Sequence, residues 1–341
     1  MDVLINENFD YADNLFGFNI PAAVREASRF PVKVGQSDFV PEKDVAYVFR
    51  KEHIAGPIQF FASGVERNIL LTGDTGCGKT SLIEQVAARL NWPVFAIGCH
   101  GGLEFQELIG RVTLKPDGST GWADGPLIAA MRAGGIFLLD EMNFLKPEVA
   151  GGLNTILQAS AYMIPETGEL IKAHPDFRVA ATGNAIDGVG KGAYRGTQTP
   201  NIALLNRFTL GIHMHYMDVE GESQMIRAKA PRITEEVSKL IAEIADMSRK
   251  SHHDGVLKSP ISPRETVSVA RRLVGYSGSF DGNSKDVEER KKALQVQMGK
   301  LTAAMEMTFM YRWSPEDKDS FLQSTYEVAS RLGYGQLISN R

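Results

Sequence analysis

The sequence predicts an α/β fold: a five-stranded, mostly parallel sheet covered by helices, then a smaller helical domain and C-terminal helices. Three observations predict it. Short apolar runs alternate with helical patterns between residues 46 and 216, as expected for strands joined by crossover helices. One of those runs leads directly into a glycine-rich octapeptide and then a helix. From residue 217 onward only helical spacing recurs.

Residues 1–45 are mixed, with Pro21, Pro31 and Pro41 spacing short apolar stretches. They read as an extension that packs on the core or on a neighbouring subunit. The first core strand is expected near 68–72. It runs into Gly73-Asp74-Thr75-Gly76-Cys77-Gly78-Lys79-Thr80, a G-x-x-x-x-G-K-T loop. A helix follows, with Leu82, Ile83, Val86, Ala87 and Leu90 on one face. Strand, loop and helix are the context of a phosphate-binding loop, where backbone N–H groups and the helix N-terminus surround the phosphates. Gly73 to Ser81 therefore form the candidate ATP site. Lys79 would face the β- and γ-phosphates, and the Thr80 hydroxyl would hold Mg²⁺.

Further strands are expected near 94–98, 136–140, 178–183 and 208–215. The run from Gly135 ends in Asp140 and Glu141. Adjacent acids at the end of a buried strand need a cation or a partner. Asp140 is the candidate Mg²⁺ ligand beside Thr80, and Glu141 the candidate general base for an attacking water. The run from Arg178 ends at Asn184, placed to orient that water. Arg207 precedes the last strand, where it would project from the subunit and stabilise charge in a neighbour's site. His100, after the second strand, is a minor polar candidate. His213 and His215 share a strand face without a third ligand and read as strand residues.

Two hairpins and a loop interrupt the alternation. Lys115-Pro116-Asp117-Gly118 is a turn signal between Val112-Thr113-Leu114 and Thr120-Gly121-Trp122. Tyr162 to Ile171 reads as a second hairpin. Gly188 to Asn201, rich in glycine and including Tyr194 and Arg195, reads as a loop that changes with nucleotide state. Residues 217–280 read as a helical domain. Thr234-Glu235-Glu236 starts one helix, with Leu240, Ile241, Ile244 and Met247 as its apolar face. Ser262-Pro263-Arg264-Glu265 is a capping box that puts Arg264 in a first helical turn, able to touch a γ-phosphate. Asp281-Gly282-Asn283-Ser284 marks a boundary. Residues 281–341 then read as two helices, Val287 to Trp313 and Ser314 to Leu332.

Together these motifs resemble an AAA+ ATPase across about residues 45–275, with Walker A at 73–80 and Walker B at 136–141. The resemblance makes Asn184 sensor 1, Arg207 an arginine finger and Arg264 sensor 2. More narrowly the chain is similar to the MoxR group, and within it to the CobS-type ATPase subunit of aerobic cobaltochelatase. Ser81 to Pro93, Tyr194-Arg195-Gly196-Thr197-Gln198, Phe16-Gly17 and Val40-Pro41 carry that likeness. Glu141-Met142-Asn143 departs from it, since a Tyr-Asp continuation is the family's pattern. The resemblance implies strand order 5-1-4-3-2, a helical lid at 217–280, and hairpins facing a pore or substrate. It further implies a homo-oligomeric, hexameric ring with a VWA-domain partner, which drives metal insertion into a corrinoid or activates another metalloenzyme.

Composition narrows the classes. Apolar residues make up 43% and charged residues 23% of the chain, with a net charge of −4. That is ordinary globular composition without the basic surplus of a nucleic-acid binder, which argues against a DNA-handling protein. A nucleotide-gated scaffold with little turnover is the other alternative, and Glu141 argues against it. The two cysteines, Cys77 and Cys99, suit a reducing compartment. No apolar run approaches the ~18 residues of a membrane span. The N-terminus lacks a signal-peptide pattern, so a cytoplasmic location is expected.

Overall fold

A computed structural model describes residues 5–19, 25, 29–62, 66–184 and 202–338. They fall into two compact units, one of Met1–Asp44, Phe49–Asp74 and Gly78–Met214, the other of Val45–Val48, Thr75–Cys77 and His215–Arg341.

The first unit contains strands β1 (Ile5–Tyr11), β2 (Arg29–Val34), β3 (Asn68–Gly73), β4 (Val94–Gly98), β5 (Gly110–Leu114), β6 (Thr120–Asp124), β7 (Ile136–Asp140), β8 (Ala161–Met163), β9 (Leu170–Lys172), β10 (Arg178–Gly183) and β11 (Leu210–Met214). Five of them form one parallel sheet in the order β11-β3-β10-β7-β4. Counted along the chain within that sheet, this is the expected 5-1-4-3-2. The central strands read as unbroken apolar runs because helices cover both faces. Ile136 to Leu139 and Val179 to Ala181 are fully buried. Phe137, Leu139, Val179 and Ala181 join Phe95, Leu127, Leu153 and Ile156 in one core.

The helix after the glycine-rich loop spans Lys79–Leu90 and buries Leu82, Ile83, Val86, Ala87 and Leu90, the face its spacing predicts. It stops at Asn91, which adopts the left-handed conformation that ends helices. Both expected hairpins are present as antiparallel pairs, β5 with β6 and β8 with β9. Arg132, on the helix Pro126–Ala133, joins them. Its Nε donates to Asp124 at 2.9 Å, and its two terminal nitrogens donate to the Glu169 carboxylate at 2.7 and 2.8 Å.

The N-terminal segment forms an antiparallel pair, β1 with β2, which residue spacing does not announce. It packs on its own core. The Lys33 side chain is fully buried, donating to the Gly134 carbonyl and to Asp176, each at 3.0 Å. Its ammonium also lies 4.1 Å from the centroid of the Trp92 ring. Burial pushes the ammonium below the usual lysine range, and Asp176 pulls it back.

The second unit is helical: Val219–Lys229, Glu235–His253, Pro263–Tyr276, Val287–Gly299, Leu301–Thr308 and Pro315–Arg331. Thr234 and Ser314 cap their helices as their positions suggest, accepting from the N–H groups of Val237 and Asp317. The segment expected as one helix from Val287 to Trp313 is broken. Lys300 leaves helical geometry (φ −107°, ψ 2°) after Gly299, a poor helix former, and a 3₁₀ turn follows at Met310–Arg312. Helices on both sides of residue 281 share one core, with Leu240, Leu273, Met298, Leu301 and Phe321 in contact. Among the described residues no helix is long and apolar enough to cross a membrane.

A buried ion pair ties three of these helices together. Arg249 donates to both oxygens of Glu222, at 2.5 and 3.0 Å, and through Nε to the Ile261 carbonyl at 3.0 Å. Glu222 also accepts from the Thr266 hydroxyl at 2.9 Å. Their side chains are 9% and 1% exposed. Removing one partner of such a pair leaves the other charge buried and unmet. Arg249→Leu is therefore expected to destabilise the fold by about 3–5 kcal/mol in denaturant titrations. A change below about 1 kcal/mol would show that solvent reaches Glu222 in the native state.

Candidate functional site

The site is built from the carboxyl ends of three adjacent strands, β3, β10 and β7. β3 ends at Gly73, which has φ +133°. A Cβ there would lie 2.0 Å from the Met214 carbonyl oxygen, so glycine alone lets the chain turn this close to β11. The loop returns through Gly78, at φ +98°, into the N-terminus of the helix Lys79–Leu90.

Lys79 is buried and reaches back along the loop. Its Nζ donates to the carbonyls of Gly73 (2.9 Å) and Asp74 (2.8 Å) and to Asn184 Oδ1 (3.0 Å). These bonds hold the ammonium at the loop, where a cation suits an anionic ligand. The next residue, Thr80, donates its hydroxyl to Asp140 Oδ1 at 2.6 Å. Hydroxyl and carboxylate oxygens are the donor set that hard dications prefer, so these residues fit Mg²⁺.

Asp140 closes β7, and Glu141 follows it. Glu141 is exposed and adopts a left-handed backbone conformation, φ +58° and ψ 47°. A non-glycine residue there carries strain of about 1–3 kcal/mol, and such residues cluster at functional sites. Asn184 follows β10. It is 7% exposed, and its N–H donates to Asn143 Oδ1 at 3.3 Å. The expected set of Lys79, Thr80, Asp140, Glu141 and Asn184 is thus brought together.

Three residues that sequence reasoning passed over also belong here. Thr182 is fully buried; its hydroxyl donates to Asp140 Oδ1 at 2.6 Å and accepts the Glu141 N–H at 3.0 Å. Its signal was a hydroxyl inside an otherwise apolar strand, since buried hydroxyls require partners. Asn143 contacts Asn184, and its own Nδ2 is buried with no hydrogen-bond partner among the described residues. Cys99 donates its N–H to the Asp140 carbonyl at 2.8 Å.

Other candidates lie elsewhere. Arg207 is not extended from the unit but rests on the helix Pro147–Ala159, with Nε donating to Asn154 Oδ1 (2.8 Å) and Nη2 to Gln158 Oε1 (2.9 Å). Asn68 Nδ2 donates to its carbonyl at 2.7 Å. Arg264 belongs to the helical unit. It is exposed in the first turn of Pro263–Tyr276, where Glu265 accepts from the Ser262 N–H and hydroxyl at 2.8 and 2.9 Å. His100 is exposed, its Nδ1 accepting from the Gly102 N–H at 3.1 Å. Among the described residues no group of His, Cys, Asp and Glu could hold a metal by itself. The Gly188–Asn201 loop, with Tyr194 and Arg195, lies outside the described residues.

The chain is similar in sequence to known proteins. Residues 68–208 match the AAA domain (dynein-related subfamily). The chain is 30% identical, over 253 residues, to the aerobic cobaltochelatase subunit CobS of Sinorhizobium sp., spanning 71% of this chain and 75% of that one. It is 35% identical to an uncharacterized protein of Staphylococcus haemolyticus, over 54% of this chain and 71% of that one. The Thermotoga maritima RuvB Holliday junction branch migration motor superposes with a TM-score of 0.48 at 13% identity, covering 87% of this chain and 86% of that one.

The surroundings of Cys99 give a chemical test of this geometry. Burial, then the charges of Asp140 and Glu141, push its thiol up to about 12. The thiolate is the reactive form, so native Cys99 should resist iodoacetamide at pH 8 and react fully once the chain is unfolded in urea. Mass spectrometry of the labelled peptides reads this out. Labelling of native Cys99 as fast as in urea would contradict the placement. With the folded value above the unfolded one, the thiol favours folding below pH 9. That contribution declines between pH 9 and about 12, as the unfolded thiol ionises first.

Proposed function

Since this chain belongs to the AAA+ ATPases of the MoxR group and is similar to the CobS-type cobaltochelatase subunit, we propose that it hydrolyses ATP and uses the energy to remodel a partner protein. One observation supports this above the others: Lys79, Asn184, Thr80 and Asp140 converge by hydrogen bonds of 2.6–3.0 Å on the open end of the phosphate-binding loop. Mg²⁺, when bound, would supply charge neutralisation to the phosphates. Thr80 and Asp140 would hold it. Lys79 carries the charge that faces the terminal phosphates, and the loop from Gly73 to Ser81 presents its N–H groups to them. Glu141 accepts a proton from the attacking water, and Asn184 orients that water. Arg264 senses the γ-phosphate from the helical unit.

Arg207 acts in trans in this reading. It leaves Asn154 and Gln158 and stabilises charge in the site of an adjacent subunit, so the working form is a homo-oligomeric ring, taken as hexameric. The exposed apolar residues of the two hairpins, Val112, Leu114, Met163 and Leu170, offer a surface to the remodelled partner. The likeness to the cobaltochelatase subunit suggests a VWA-domain partner in the cytoplasm, and metal insertion as the outcome.

Lys79→Ala is expected to abolish nucleotide binding in titrations with a fluorescent ATP analogue. Glu141→Gln should bind ATP and lose about 10²–10⁴-fold in turnover. A wild-type rate in Glu141→Gln would remove the general-base assignment. Arg207→Ala should lose about 10³-fold or more while still binding nucleotide. Mixing inactive Arg207→Ala with inactive Lys79→Ala should restore activity in mixed rings. Rings that form and stay inactive at every ratio would place the arginine's action in cis.

A further inference from the structure

Thr182 sits where a single hydroxyl touches both acids of the site. It is fully buried on β10, between the strand that ends in Asp140 and the strand that leads to Lys79. A threonine hydroxyl has one proton to give. Here it goes to Asp140 Oδ1 at 2.6 Å. The oxygen then accepts the Glu141 main-chain N–H at 3.0 Å. The first bond fixes the orientation of the Asp140 carboxylate, on the same oxygen that takes the Thr80 hydroxyl. The second holds the peptide between the two acids. That matters because Glu141 occupies the left-handed region (φ +58°), which an unrestrained glutamate leaves readily.

We infer that Thr182 is a positioning residue for both acids. It holds Asp140 turned toward Thr80, and it holds the Glu141 backbone in the strained conformation from which the carboxylate is presented to water. This rests on the proposed ATPase reading. Thr182 touches no reactant and acts through Glu141 and Asp140. Deleting its hydroxyl should therefore slow the chemical step and leave nucleotide binding, the work of the loop and Lys79, intact.

Thr182→Val tests this in the full-length chain. It keeps the β-branched shape that suits a strand and removes the donor and acceptor. The expected result is a loss of about 10²-fold in kcat, the lower bound for a displaced general base. KM and the affinity for a fluorescent ATP analogue should stay within about threefold, because a transition-state interaction is what was removed. Thr182→Ser, which restores the hydroxyl, should return kcat to within about threefold of wild type. In single turnover, Thr182→Val should cost Glu141→Gln less than it costs the wild type, since the part of its effect that runs through Glu141 is already lost and residues acting as one unit are not additive.

Wild-type kcat in Thr182→Val, or a full additional loss in the double variant, overturns the inference. If valine is not accommodated, Thr182→Ala, which adds no atoms, carries the same expectation. The outcomes separate the inference from the reading beneath it. Wild-type protein without Mg²⁺-dependent turnover removes the ATPase reading and the inference with it. Thr182→Val at full rate beside an inactive Glu141→Gln removes the inference alone.

Discussion

Parallel pairing is the constraint on which the site depends. When neighbouring strands run the same way, the residues that follow them emerge on one edge of the sheet. β3, β10 and β7 are adjacent. Gly73, Asn184 and Asp140 therefore arrive side by side, although more than 100 residues separate the first from the second along the chain. The middle strand reaches both ways. Asn184 meets Lys79 from the loop after β3, and Thr182 meets Asp140 at the end of β7. Registers of Val179 with Asn68 and of Val179 with Phe137 keep all three ends level. A slip of one residue would turn Thr182 to the opposite face and separate it from Asp140.

Much of this was legible in the sequence, for reasons that can be named. The central strands announce themselves because burial on both faces demands unbroken apolar runs such as Ile136 to Leu139. The helix Lys79–Leu90 announces its face because 3.6-residue spacing has one solution there. The hairpin around Lys115 to Gly118 follows from turn chemistry. What stayed hidden was long-range or depended on a partner. Lys33 is a buried lysine in β2 whose acceptors, Gly134 and Asp176, lie over a hundred positions away. Asn154 and Gln158 sit one turn apart on a helix, and nothing local says that Arg207 will lie across them. Thr182 looked like an ordinary strand residue until its two partners were in place. The break at Lys300 was missed because the apolar stripe from Leu294 to Met305 continues across it.

The acid pair shows how the fold divides labour between stability and chemistry. Asp140 is anchored by two hydroxyls, each at 2.6 Å, and by the Cys99 N–H on its carbonyl. Glu141, one residue on, is exposed and strained. Glycine at that position would relieve the backbone and remove the carboxylate, so relief of strain there comes at the expense of reactivity. The buried neighbours on β10 and β7 supply the rigidity that keeps such a residue in place.

Arg132 has a mechanical consequence. One guanidinium grips Asp124 at the end of the first hairpin and Glu169 beside the second. Pulling on either insertion therefore loads the other through a joint only a few ångströms long. The joint is half open to solvent, with Arg132 38% and Glu169 49% exposed. Such a contact holds with about 1 kcal/mol or less. It is also weakened by salt, whose screening length is about 8 Å at physiological strength. The two insertions are thus latched and not welded: they swing together under small loads and part under large ones, and added electrolyte lowers the force at which they let go.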